Sequence, residues 1–229
     1  MSEFVGMEKL SLVDFDSKIV CTLFSSGCNF NCAFCHNSPL IEEVKDNYLK
    51  FEEIIAYLKS RKNMLDGVCI TGGEPTLMDD LKEKIIQIKE LGLLVKLDTN
   101  GTNPRILKEL IEEKLIDYVA MDIKNSLEEY HKICRVECVN LDAITESINI
   151  LMTSNIDYEF RTTLIDEYHN TDIILKIGSL IKGSKKYFLQ KYTYRDTCPL
   201  VLHEVKKEKA LEFQSLLSKY IESVNLRGY

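Results

Sequence analysis

Gly27-Cys28-Asn29-Phe30-Asn31-Cys32-Ala33-Phe34-Cys35-His36-Asn37 places three cysteines at C-x3-C-x2-C spacing immediately after a short apolar run over 19–24. Three thiolates within eight residues can hold a soft metal centre from a single loop. A loop that supplies three ligands rather than four leaves one coordination position without a local protein donor. Such a position can take a substrate or a cofactor. Two centres suit the spacing. One is a zinc ion completed by His36, although His36 directly follows Cys35 and shares one ion with it only awkwardly. The other is a [4Fe-4S] cluster with one open iron.

Outward from this loop, short apolar runs alternate with helical patterns. The runs lie at 19–24, 67–71, 93–98, 118–123, 158–164 and 187–192, and most are rich in β-branched or aromatic residues, as buried parallel strands are. Between them, Phe51, Ile54, Ile55 and Leu58 fall at i, i+3, i+4, i+7. Leu81, Ile85 and Ile88 follow the same period, as do Leu107, Leu110 and Ile111, then Ile144, Ile148 and Leu151, then Ile173, Ile177 and Leu180. A final helix is expected over about 205–224, with Phe213, Leu216, Leu217, Tyr220, Ile221 and Val224 on one face. Six strand–helix units in alternation predict an α/β fold with a parallel sheet, either doubly wound or curved into a partial (β/α)6 barrel. With four prolines and no Gly/Ser-rich stretch, the chain offers no linker. A single domain over 1–229 is expected, its core at about 18–192.

Composition sets the outer limits. The 229 residues can bury a sizeable core, and 45% hydrophobic with 28% charged residues is ordinary for a globular protein. A net charge of −7 argues against broad nucleic-acid binding. Neither a secretory h-region nor a membrane-length apolar stretch is present, so a cytoplasmic protein is expected, with no membrane partner. In that compartment eight cysteines are not a disulfide framework. Cys21, Cys69 and Cys198 read as small buried hydrophobes. Cys134 and Cys138 form a C-x3-C pair with no second cluster to complete a metal site.

The chemistry-bearing residues sit at strand ends. Gly72-Gly73-Glu74-Pro75 follows the second run. It is a tight strand-to-helix turn that also presents bare backbone and a carboxylate, groups that can hold an ammonium. Asp98-Thr99-Asn100-Gly101 ends the third run with a turn signal. Asp122 and Lys124 end the fourth. Arg161, in a half-buried fifth run, requires an anionic partner. In parallel α/β folds the C-terminal edge of the sheet is where sites form, and all of these residues belong to that edge.

Taken together, these motifs resemble the radical S-adenosylmethionine (radical-SAM) superfamily. The cysteine loop matches its C-x3-C-x-aromatic-C pattern, with Phe34 as the aromatic, and the Gly-Gly-Glu turn matches its second motif. Within the superfamily, the segments starting at Glu8, Ile70, Lys96, Tyr118 and Phe160 resemble the glycyl-radical-enzyme activases, most of all the longer form of the anaerobic ribonucleoside-triphosphate reductase activating proteins. The resemblance implies a [4Fe-4S] cluster on Cys28, Cys32 and Cys35, which act catalytically through it. It implies S-adenosyl-L-methionine held by Phe34 near the adenine, by Gly72, Gly73 and Glu74 at the methionyl amine, by Lys124 and Arg161 near the carboxylate, and by Asn37, Asp98 and Asn100. A monovalent cation between Asp98 and Asp122 is implied by pyruvate formate-lyase activating relatives. Those relatives also carry a histidine at the end of the last barrel strand, where this chain reads Leu189-Gln190-Lys191-Tyr192-Thr193-Tyr194. The implied reaction is reductive cleavage of S-adenosylmethionine and installation of a glycyl radical on a partner, anaerobic ribonucleotide reductase, with flavodoxin or ferredoxin as electron donor. No second cysteine set follows the first, so one cluster is expected. The terminal Leu226-Arg227-Gly228-Tyr229 resembles a glycyl-radical motif, but a short terminal strand accounts for it. Two other readings stand beside this one: a radical-SAM enzyme acting on a small molecule, as in deazaguanine-forming relatives, or on another peptide; and a zinc-dependent interaction module.

Overall fold

A computed structural model describes residues 3–42 and 48–229. The six expected runs are strands β2 (Val20–Ser25), β3 (Gly67–Gly72), β4 (Leu94–Thr99), β5 (Tyr118–Asp122), β6 (Asp157–Leu164) and β7 (Lys186–Lys191), each parallel to the next. Two further strands extend this core. β1 (Phe4–Ser11) pairs antiparallel with β2, and β8 (Ser223–Arg227) pairs parallel with β7. The sheet order is β1 to β8 in sequence, with β1 and β8 as its edges, so the sheet is not closed.

The helices are α1 (Phe51–Arg61), α2 (Leu81–Glu90), α3 (Pro104–Glu112), α4 (Tyr130–Cys134), α5 (Leu141–Thr153), α6 (Thr171–Leu180) and α7 (Lys207–Leu217). Three of them start on asparagine caps: Asn103, Asn140 and Asn170 accept from the backbone N–H of Ile106, Ala143 and Ile173. The helix expected over 205–224 ends at Leu217 instead. Val224 belongs to β8, its side chain buried against the same core that a longer helix would have reached. A segment with apolar residues at mixed spacings satisfies both periods, and pairing along the free edge of β7 decided for the strand.

Each parallel strand splits its residues between two faces. Leu23, Ile70, Leu97, Met121, Phe160 and Leu189 join the helices' Ile54, Ile85, Leu107, Ile148, Ile177 and Phe213 in one large core. The other face is concave and mostly polar, carrying Thr71, Lys96, Asp98, Asp122, Glu159 and Arg161. Its lower end is closed by Phe15, from the β1–β2 connection, packing on Val20, Cys69 and Tyr118. The Phe15 and Tyr118 ring centroids are 5.3 Å apart. The neighbouring Asp16 lies 3.6 Å from Arg227 on β8, so the two edges of the open sheet curl toward each other. The result is a partial barrel with helices outside. No helix among the described residues is long and apolar enough to cross a membrane.

Candidate active site

The β2–α1 loop is fixed mainly by other segments. The N–H groups of Gly27 and Cys28 donate to Leu40 and Ile41, and those of Asn31 and Ala33 donate to Cys134 and Ile133 at the end of α4. From the far side of the sheet, the loop after β7 closes over it. Leu200 donates to the Ala33 carbonyl, and the Thr197 hydroxyl donates to that of His36. Cys28, Cys32, Phe34, Cys35 and Asn37 thereby line one cavity of about 190 Å³ with Gly72, Gly73, Glu74, Asp98, Asn100, Asp122, Lys124 and Arg161. All thirteen side chains or backbone positions expected at the site therefore meet at the C-terminal edge of the sheet.

The Gly-Gly-Glu turn touches the cysteine loop mainly through backbone. Gly73 and Glu74 donate to the carbonyls of Ser25 and Gly27. Gly72 has φ +118°, and the Asn37 amide donates to its carbonyl at 3.3 Å. The Glu74 carboxylate is turned inward rather than left free. Its Oε1 accepts from the Thr76 N–H, the Thr76 hydroxyl and the Thr99 hydroxyl, at 3.1, 2.6 and 2.8 Å, and its Oε2 accepts from the Asn100 N–H at 2.6 Å. Burial raises its pKa against these donors. Glu74 thus ties the ends of β3 and β4 together and keeps acceptor capacity on Oε2 alone. The Asn100 amide donates in turn to Asn29 in the cysteine loop at 2.8 Å.

Below the cavity runs a chain of alternating charges. Arg161 donates from Nη1 to Asp98 Oδ2 at 2.9 Å and from Nε to Asp122 Oδ1 at 2.8 Å. Lys124 Nζ holds Asp122 Oδ2 at 2.9 Å. Lys96, inside β4 and not among the expected site residues, closes the far end on Asp98 Oδ1. Burial opposes ionisation of both carboxylates, but Arg161 and the lysines outweigh it. They hold Asp122 down to about 2 and Asp98 below the usual range. The Lys124 ammonium lies 5.5 Å from the centre of the Phe34 ring. Its backbone is fixed by two residues that carry no motif, Tyr130 and His169. The Tyr130 hydroxyl accepts from the Lys124 N–H, and buried His169 donates from Nε2 to the Lys124 carbonyl at 3.1 Å while its Nδ1 accepts from the Ile165 N–H.

The thiols suit a metal centre. Burial pushes the Cys28 thiol up to about 12 and also raises Cys35, so the thiolate forms need a nearby positive charge such as a metal centre supplies. A hydrogen bond with the Cys134 thiol lowers Cys32. Cys134 is buried and Cys138 exposed, so the C-x3-C pair does not act as a unit. The His36 ring is engaged elsewhere, its Nε2 2.7 Å from the Thr193 carbonyl and its face stacked on Tyr192 at 6.0 Å. It sits against the end of β7. Among the described residues no three His, Cys, Asp or Glu side chains are arranged around a single metal ion. With His36 engaged elsewhere the cysteine loop lacks the fourth ligand expected for zinc, whereas three cysteines facing a common cavity with an unliganded side fit a cluster with one open iron.

Comparison with known proteins agrees. Over 229 aligned residues the chain is 32% identical to the Methanocaldococcus jannaschii protein MJ1227, covering 97% of this chain and 94% of that one. A second protein of the same organism, MJ1632, is 29% identical over 97% of this chain and 85% of its own length. Both carry the name of glycyl-radical enzyme activating enzymes. Among solved structures, Streptococcus suis SuiB bound to its precursor peptide SuiA superposes with a TM-score of 0.72 at 14% identity, covering 91% of this chain and 48% of SuiB. The family model described as the Radical SAM superfamily matches residues 22–174, which include the cysteine loop, the Gly-Gly-Glu turn and the whole charge chain. This chain belongs to the radical SAM superfamily, whose cofactors are a [4Fe-4S] cluster and S-adenosylmethionine.

Proposed function

We propose that the protein is a glycyl-radical-enzyme activating enzyme. The observation that carries this reading is the single cavity that joins three cysteines to a Gly-Gly-Glu turn and a cationic pair, in a chain similar to MJ1227 over nearly its whole length. In it, Cys28, Cys32 and Cys35 hold the cluster. The backbone of Gly72 and Gly73, with Glu74 Oε2, receives the methionyl amine, and Lys124 and Arg161 receive the carboxylate. Phe34 covers the adenine, and Asn37 and Asn100 set the turns around it. When bound, the reduced cluster and S-adenosylmethionine supply methionine and a 5′-deoxyadenosyl radical, which takes one hydrogen atom from a glycine Cα of the partner.

The chain's own contribution is orientation and exclusion of water. The loop after β7 roofs the cysteines, and Phe15 closes the opposite end. Anaerobic ribonucleoside-triphosphate reductase is the proposed partner, and flavodoxin or ferredoxin the donor. The test is anaerobic reconstitution with iron and sulfide, followed by dithionite and S-adenosylmethionine. 5′-Deoxyadenosine is expected, and a glycyl doublet in electron paramagnetic resonance once the reductase is added. No 5′-deoxyadenosine overturns the chemistry. 5′-Deoxyadenosine without the doublet overturns the partner. Cys32→Ala is expected to lose both the cluster absorbance and the cleavage.

A further inference from the structure

The resemblance to pyruvate formate-lyase activating enzymes implies a monovalent cation between Asp98 and Asp122, and these residues do not fit one. Each of their four carboxylate oxygens already faces a cationic nitrogen. Asp98 Oδ1 faces Lys96 and its Oδ2 faces Arg161, while Asp122 Oδ1 faces Arg161 and its Oδ2 faces Lys124. Within this chain of ion pairs three positive groups face two carboxylates, an excess of one positive charge, while the buried Glu74 carboxylate on the same cavity is held by neutral donors. Arg161 and Lys124 border the cavity, so that excess faces the space where one ligand carboxylate is expected. A further cation would leave a charge unpaired in a buried site, a costly arrangement. Lys96 supplies the third positive charge. Its side chain is 5% exposed and enclosed by Asp98 and by Cys69, whose sulfur lies 3.8 Å from Nζ. It lies on the concave face two positions before Asp98, beneath the site and out of reach of solvent.

We infer that the Lys96 ammonium stands in this chain where relatives place a monovalent cation, so that S-adenosylmethionine binds here without potassium or sodium. The inference rests on the activating-enzyme reading above. It makes Lys96 a positioning residue, acting on the cofactor carboxylate through Asp98 and Arg161.

The test uses the cluster-loaded full chain under anaerobic conditions. The dissociation constant of S-adenosylmethionine is measured in potassium chloride and in choline chloride at equal ionic strength. The wild type is expected to bind equally in both, within about threefold, and a larger loss in choline overturns the inference. Lys96→Met is expected to weaken binding about tenfold in choline and to recover it in potassium, because Asp98 Oδ1, without its ammonium, can then take the ion. Lys96→Arg keeps the charge and is expected to stay indifferent to the salt. A Lys96→Met protein with intact cluster absorbance and wild-type indifference overturns the assignment to Lys96. Should Lys96→Met fail to take up the cluster, the wild-type comparison and Lys96→Arg still decide. If the wild type binds S-adenosylmethionine in neither salt, the radical-SAM site itself is misassigned, an outcome distinct from salt-dependent binding.

Discussion

Gly73 has no room for a side chain. A Cβ there would lie 2.1 Å from the Gly27 carbonyl oxygen and 2.8 Å from its carbon, both backbone atoms of the cysteine loop. Gly73→Ala is therefore expected to push the loop off the β3 turn. The cost is about 1–3 kcal/mol of stability, measured by urea unfolding, with reduced iron per chain after reconstitution. Cys134 gives the converse case. It lowers the pKa of Cys32 but comes from α4, outside the three-cysteine loop. Cys134→Ala is expected to retain a full iron and sulfide complement, in contrast to Cys32→Ala. Fewer than the wild-type number of irons would make Cys134 a ligand.

At the scale of elements, the turn after β6 carries the backbone of the β5 end. His169 is fully buried, and burial depresses its pKa to about 4. A histidine held neutral in the folded state and protonated in the unfolded one stabilises fully above its unfolded pKa of about 6.5. That stability is lost as pH falls toward the folded value. Unfolding free energy is expected to drop by about 3 kcal/mol between pH ~6.5 and ~4 from this group. His169→Gln is expected to flatten that part of the profile, as read by denaturant melts across the window. Protonation keeps the Nε2–H donor to the Lys124 carbonyl and removes the Nδ1 acceptor that the Ile165 N–H uses, so it is the turn after β6 that loosens.

The whole molecule depends on how an open sheet is held in a curl. Arg227, near the chain end, donates to buried Glu159 at 2.9 Å, reaches Asp16 at 3.6 Å, and stacks 3.7 Å over the Phe188 ring. It thereby connects β8, β6, β7 and the β1–β2 connection across the concave face. Arg227→Met leaves Glu159 with the Tyr118 hydroxyl as its remaining donor. Arg227 is about one-third exposed, so the expected loss is moderate, about 2 kcal/mol. Thermal unfolding measures it, and Glu159→Gln in the same background should restore part of it.

The six parallel strands, the helices between them and the cysteine loop were legible because each is a local pattern: period two, period 3.6, and ligand spacing within a few residues. Gly72, Gly73, Asp98, Asp122, Lys124 and Arg161 were legible as strand-end residues because a parallel sheet sends all its strand ends to one edge. The end of α7 and the edge strands β1 and β8 were less so, since edge pairing depends on what the neighbouring strand leaves free.

Which charge meets which was decided by tertiary structure alone. The sequence determined that Lys96 and Asp98 share a face of β4. Only the curl of the sheet placed Arg161, two strands away, between Asp98 and Asp122, and turned Glu74 inward onto Thr76, Thr99 and Asn100. Buried charges and carboxylates must find partners within a few ångströms, and those distances between strands exist only after the sheet has curled around them.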